Sequence, residues 1–152
     1  MRQLPGKLTS ACVAIVCEDK VLMVKASYKD HWTFPGGIVD ENESPKHAAL
    51  REVQEEIGIR LDEGECQFLG SVYTASGGID LDRLNFAFLI TVPSQALQIS
   101  VPNDEIEEAR WVSFGDITLL SRPRGSYTKY QIILTGAAPR GSYFEIFPQT
   151  SA

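Results

Sequence analysis

A chain of 152 residues with 43% hydrophobic and 22% charged residues has room for one hydrophobic core and falls outside the disordered, collagen-like and coiled-coil classes. Its net charge of −6 opposes a nucleic-acid-tracking surface, which relies on a basic stripe to displace counterions. Cys12, Cys17 and Cys66 are an odd, widely spaced set with no Cys-x-x-Cys pair, which suggests neither a disulfide framework nor a zinc site and reads as buried thiols in a cytoplasmic protein.

The first apolar stretch, from Leu8, is short for a signal-peptide core and is interrupted by Thr9 and Ser10, so it reads as a strand. Leu8 to Glu18 and Val21 to Ala26, rich in Val, Ile, Leu and Cys, form an expected hairpin punctuated by Glu18-Asp19-Lys20. Pro35-Gly36-Gly37 follows and is expected to be a tight loop: proline presets one dihedral, and the glycines permit left-handed conformations or close approach of a ligand. A helix then starts at Pro45 behind the N-cap Ser44 and ends at Ile57 before Gly58. Cys66 to Thr74 and Leu81 to Val92 read as two more strands joined through Ser76-Gly77-Gly78. A shorter strand is expected to include Trp111 to Phe114, and a second helix runs from near Ser126 to Leu134. Within the last stretch, Ala137 to Ala152, Ser142 to Phe147 is an edge-strand candidate without a firm placement. No repeat appears, and no run approaches the roughly 20 apolar residues of a transmembrane helix. The expected class is α+β, a mixed α/β fold in one domain spanning residues 1–152.

On the first helix, Glu52, Glu55 and Glu56 stand at i, i+3 and i+4 and share one face, while Leu50, Val53 and Ile57 share another. The helix can therefore bury its aliphatic side on a sheet and offer three carboxylates to a cleft. Like charges at this spacing repel by about a few tenths of a kcal/mol, a penalty that a divalent cation would remove. A solvated acidic face would show the same spacing.

The run from Gly37 to Ile59, GIVDENESPKHAALREVQEEIGI, distinguishes these readings. It resembles the Nudix box, G-x5-E-x7-R-E-U-x-E-E-x-G-U with U aliphatic, and Gly37, Glu43, Arg51, Glu52, Val53, Glu55, Glu56, Gly58 and Ile59 fill every specified position in order. The resemblance implies a Nudix-type α/β/α sandwich with a central mixed β-sheet and a loop-helix-loop catalytic motif. It implies metal-dependent hydrolysis of the diphosphate linkage of a nucleoside diphosphate joined to another moiety: a nucleoside triphosphate, a nucleotide sugar, ADP-ribose or a dinucleotide. Mg²⁺ is the implied cofactor, with Mn²⁺ as a substitute. By position, Glu52, Glu55 and Glu56 are the metal-binding and catalytic acids, and the Gly37 carbonyl is a further ligand.

Glu43 and Arg51 read as an ion pair bracing the loop against the helix, and Gly58 as the helix terminator. Members of the family often recruit one more acid from outside the box. The segment Asn103-Asp104-Glu105-Ile106-Glu107-Glu108 supplies candidates; its distance from Trp111 favours Glu105 as catalytic and metal-binding acid, with Asp104 and Glu108 as alternatives. Such a site neutralises phosphate charge, orients a water and lowers its pKa; whether a box glutamate or Glu105 takes the proton is left open.

Selectivity falls to groups outside the box, with Tyr28, Trp32, Phe34, Tyr73, Arg83, Asn85 and Phe86 as substrate-binding candidates, each with core or surface packing as the alternative. His31 and His47 lack partners at metal spacing and receive no catalytic role. The positions where the family carries proline or tyrosine substrate markers hold Ala75, Ser76 and Gly77. The expected partner is a nucleotide-type small molecule, with no membrane and no nucleic acid, and a homodimer is left open. Two other classes remain: a nucleotide-sensing binding module of the same fold, or a pyrophosphohydrolase of capped RNA or of a non-nucleoside diphosphate.

Overall fold

Strand β1 (Leu8–Cys17) has no polar face in its second half. Ala11, Val13 and Ile15 enter one core layer and Cys12, Ala14 and Val16 the other. A strand buried on both faces reads as an unbroken apolar run, which is why this segment lacks the alternation of a half-exposed strand. The computed structural model describes residues 4–101 and 104–149; Asn103 and the end of the C-terminal stretch, 150–152, lie outside the described residues.

Strand β2 (Lys20–Ala26) turns back from β1 across Glu18 and Asp19, and the two pair only at the hairpin end, Val16 with Val21 and Cys17 with Lys20. They then part. The near half of β1 takes β4 (Gly36–Ile38) antiparallel, with Ala11 opposite Gly37, while β2 takes β3 (Trp32–Thr33) and β7 (Ile106–Ser113). On its other side β1 runs parallel to β6 (Arg83–Thr91), which pairs antiparallel with β5 (Gln67–Thr74), and β8 (Ser142–Ile146) closes that edge parallel to β5. The order is β3-β2-β1-β6-β5-β8, with β4 joined to β1 and β7 to β2.

Helix α1 (Pro45–Ile57) packs Ala48, Ala49, Val53 and Ile57 on one side of this mixed sheet. Helices α2 (Ile117–Leu120) and α3 (Ser126–Leu134) cover the other with Ile117, Tyr130 and Ile133. The result is the expected α/β/α sandwich. All three cysteines are free and buried, and no helix among the described residues is long and apolar enough to cross a membrane.

Three sequence expectations are corrected. The strand read from Trp111 to Phe114 begins earlier, at Ile106, and ends at Ser113; Glu107 and Glu108 therefore lie on β7, not in a loop. Their charges resemble loop composition, but on a strand with an exposed side they are compatible with pairing, and Lys25 of β2 bonds Glu107 at 3.2 Å. Second, Gly36-Gly37 is strand, not tight loop, and neither glycine has positive φ. Third, the edge-strand candidate at the C-terminal end is a strand at Ser142–Ile146 and stops before Phe147.

Candidate functional site

Helix α1 is fixed at both ends by its own sequence. The Ser44 hydroxyl accepts from the His47 N–H at 3.1 Å, Pro45 occupies the first turn, and Gly58 ends the helix with φ 72°, its N–H donating to the Gln54 carbonyl. These caps set the phase of the helix. With Val53 and Ile57 buried on the sheet, Glu52 and Glu56 fall at the boundary of the packed face and Glu55 outside it: Glu56 is 8% exposed, whereas the Glu55 side chain is 54% exposed.

Glu56 is thus a carboxylate in the protein interior. Burial first, then the charge of Glu52, pushes its pKa up to about 8; the Gly36 N–H, which donates to Oε1 at 3.4 Å, and the charge of Lys29 act the other way. Burial also raises the pKa of Glu52, against the opposing charge of Arg51. The charge of Glu105 adds to the rise of both.

Gly37 is required by close approach. A Cβ at this position would lie 2.5 Å from Cδ of Glu52 and 2.7 Å from its Oε1, so only a bare backbone lets the β4 strand lie against that carboxylate. The donors offered here, carboxylate and peptide oxygens, are those a hard divalent cation takes. Among the described residues no three acidic, histidine or cysteine side chains already converge as a metal cage. The fit therefore rests on the donor chemistry and on the mutual repulsion of Glu52 and Glu56.

Arg51 organises the opposite side of this face. Its Nε and Nη2 donate to the two oxygens of Glu43 at 2.8 and 2.9 Å, and Nη2 also reaches the Ile38 carbonyl at 3.2 Å. Nη1 donates to Glu52 Oε1 at 3.1 Å and to Glu55 Oε2 at 3.2 Å. The guanidinium hydrogen bonds, joined by the Asp40 N–H, hold the Glu43 carboxyl down at about 2. The same contact to Glu43 raises the pKa of Arg51. The bracing pair read from the sequence is present, and it extends further than the sequence indicates, onto two acids of the box. His47 Nδ1 also lies 3.0 Å from Glu43 Oε2.

Within the acidic segment the three glutamates separate. Glu107 pairs with Lys25, and Glu108 pairs with Arg110 at 3.1 Å with both side chains about half exposed. Glu105 sits in the turn before β7, where its carbonyl accepts from the Ser27 N–H at 2.8 Å, and its charge is felt by Glu52 and Glu56. The Asp104 carbonyl accepts from the Ser27 hydroxyl at 3.2 Å.

The substrate-contact candidates range from buried to exposed, and Phe34 and Asn85 both meet Tyr130. Phe34 is buried between Tyr127 and Tyr130 in the core, and Trp32 is buried with the Arg110 guanidinium 4.7 Å from its ring centre. Asn85 is tied into the interior: its Nδ2 donates to Ser10 Oγ at 2.7 Å and its Oδ1 accepts from the Tyr130 hydroxyl. Tyr73 donates to Asp82 at 2.7 Å, Phe86 packs at the margin of the α1 layer, and Arg83 and Tyr28 are exposed. Lys29, whose charge reaches Glu56, is not marked by the sequence, because nothing in its spacing distinguishes it from any lysine between two strands.

The family model of the NUDIX domain matches residues 7–133. A putative 8-oxo-dGTP diphosphatase 3 of Mycobacterium tuberculosis is 31% identical over 108 residues, covering 70% of this chain and 48% of that protein. An 8-oxo-dGTP diphosphatase of Proteus vulgaris is 41% identical over 64 residues, covering 38% of this chain and 55% of that protein. The chain spans about half the length of the curated relatives it matches. Among solved structures, a MutT NUDIX hydrolase from Burkholderia pseudomallei shares the fold with a TM-score of 0.68 and 24% identity, over 88% of this chain and 99% of that one. With its box complete, its sandwich of the same form and the domain matched over most of its length, the chain belongs to the Nudix family.

Proposed function

We propose that this chain is a pyrophosphohydrolase that cleaves the diphosphate linkage of a nucleoside diphosphate joined to another moiety, with Mg²⁺, or Mn²⁺ in its place, as cofactor. The observation that carries the reading is the buried Glu56 beside Glu52 and against Gly36-Gly37: two carboxylates withdrawn from water next to one another call for a cation. Glu52, Glu55, Glu56 and the Gly37 carbonyl are the groups we assign to hold it. A divalent ion bound there supplies charge neutralisation for the phosphate oxygens and lowers the pKa of a water.

The remaining work belongs to side chains. Glu105 is the acid we assign to take the proton of the attacking water, since its charge already reaches both helix acids. Arg51, held by Glu43, is the group we assign to hold Glu52 and Glu55 in position. Of the selectivity candidates, Tyr28, Arg83 and Phe86 keep surface for a ligand, whereas Phe34 belongs to the core.

The substrate class is that of nucleoside triphosphates, nucleotide sugars, ADP-ribose and dinucleotides, in the cytoplasm, and the relatives named for 8-oxo-dGTP put that nucleotide first on the panel. The test is phosphate or nucleoside monophosphate release from each compound with Mg²⁺ and with EDTA. Turnover of at least one that vanishes in EDTA is expected. Tight binding without turnover would replace the reading by a nucleotide-sensing module, and turnover of capped RNA alone would replace the substrate class.

A further inference from the structure

A groove of about 390 Å³ between the start of α3 and the end of β8 is lined by Arg124, Thr128, Lys129, Glu145, Ile146 and Phe147. Arg124 and Lys129 supply the two cations of this lining. Lys7, Lys25, Arg51 and Arg110 each pair with an acid, whereas Arg124 and Lys129 enter no ion pair among the described residues. The acid in the groove, Glu145, accepts from the Tyr143 hydroxyl at 3.0 Å. In a chain of net charge −6, a lining of two cations and one carboxylate leaves a net positive charge at this concavity.

Arg124 itself lies in the turn that precedes α3. The Gly125 N–H donates to the Arg122 carbonyl at 3.0 Å, closing a turn in which Arg124 has φ 61°. Glycine or asparagine is favoured at such a position, so an arginine there is held at a backbone cost. Phe147 is 58% exposed at the groove and backed by Tyr73, with ring centres 6.0 Å apart.

The groove is also separate from the glutamate face. Tyr127 lies on the buried side of α3, where it meets Phe34 and feels the charge of Glu56, while Thr128 and Lys129 line the groove.

We propose that this groove is a second ligand site, distinct from the glutamate face, that takes a nucleoside phosphate without a metal ion. The phosphate oxygens lie between Arg124 and Lys129, whose charges do the neutralising that a metal does elsewhere, and the base lies against Phe147.

The test uses the full chain in EDTA with ADP as probe, followed by titration calorimetry, because without a metal the acidic face repels a diphosphate. One equivalent of ADP is expected to bind. Arg124→Gly together with Lys129→Ala is expected to weaken it at least about ten-fold, and Phe147→Ala to weaken ADP while leaving inorganic pyrophosphate binding unchanged. Glu56→Gln is expected to leave ADP binding in EDTA at the parent level. Since Arg124→Gly relaxes the turn, that variant should melt no lower than the parent, which separates lost binding from lost fold. Absence of ADP binding in EDTA, binding that survives the double substitution, or binding lost in Glu56→Gln would each overturn the proposal.

Discussion

Arg51 grips Glu43 with two parallel hydrogen bonds, Nε at 2.8 Å from Oε2 and Nη2 at 2.9 Å from Oε1, and with its third nitrogen joins Glu52 to Glu55. One guanidinium thereby ties the loop after β4 to the helix that carries the acids. A lysine keeps the charge but not the fork. Arg51→Lys is therefore expected to lower the melting temperature by several degrees and kcat/KM by at least about ten-fold, the usual cost of losing a group that orients metal ligands. Parent-like values for both would show that the fork carries no positioning role.

The same pair makes a prediction in acid. Glu43 is held at about 2 against an ordinary 4.5, so between those values the unfolded chain binds more protons than the folded one. The stabilisation is complete above about 4.5 and is lost as pH falls through about 2. Melting curves of Glu43→Gln should accordingly show a shallower decline than the parent across that window, and identical slopes would count against the pairing.

Glu56 runs in the opposite sense. Its pKa stands at about 8 in the fold, so from 4.5 up to about 8 the folded chain holds the extra proton and loses stability as pH rises. In EDTA, Glu56→Gln should melt above the parent near pH 8 and converge with it near about pH 5. Mg²⁺ competes with that proton, so its affinity for the parent should climb with pH over the same range, read as a growing thermal shift. Turnover of the variant should fall at least about a hundred-fold, beyond the loss seen for groups that merely orient ligands.

At Gly37 the smallest possible side chain suffices. Alanine would put Cβ 2.5 Å from the Glu52 carboxyl carbon, and since that neighbour is a mobile side-chain end, the fold should persist while the carboxylate is displaced. Gly37→Ala is expected to leave the circular dichroism spectrum unchanged and cut turnover by about 100-fold, as an ångström-scale misplacement does. Full activity would remove Glu52 and Gly37 from a shared ligand set.

Glu105→Gln and Glu108→Gln share a segment and should differ in outcome. Glu108 is exposed and paired with Arg110, a contact of little consequence, so its variant should behave as the parent. Removing a general base costs about 100-fold or more in kcat, and this loss is expected for Glu105. The reverse result would move the base onto β7.

Helix α1 was legible because its signals are local: Ser44, Pro45 and Gly58 each act through their own backbone, and the acids keep their phase from those ends. Strands β3 and β4 are not legible in the sequence because two or three residues carry no periodicity, and Gly36-Gly37 resembles a turn unless the partner strand is known. Phe34 and Asn85 are ambiguous for a related reason. An aromatic or amide near a cleft serves ligand or core equally well until Tyr127, Tyr130 and Ser10 arrive from distant parts of the chain. Arg51 reaching Glu55 lies within the box spacing, yet only the rotamer shows that Nη1 spans two acids.

The parallel pairing of β1 with β6 has a consequence for the order of assembly. Ser10 meets Asn85 across 75 positions, so the first strand has no lasting partner on that side until more than half the chain has been synthesised. Such a distant closure slows folding. Helix α1 lies between the two strands in sequence and packs on both, so it docks fully only when they meet. In native-state hydrogen exchange the amides of Val13 to Ile15 should consequently open with the whole molecule, long after those of the β8 edge.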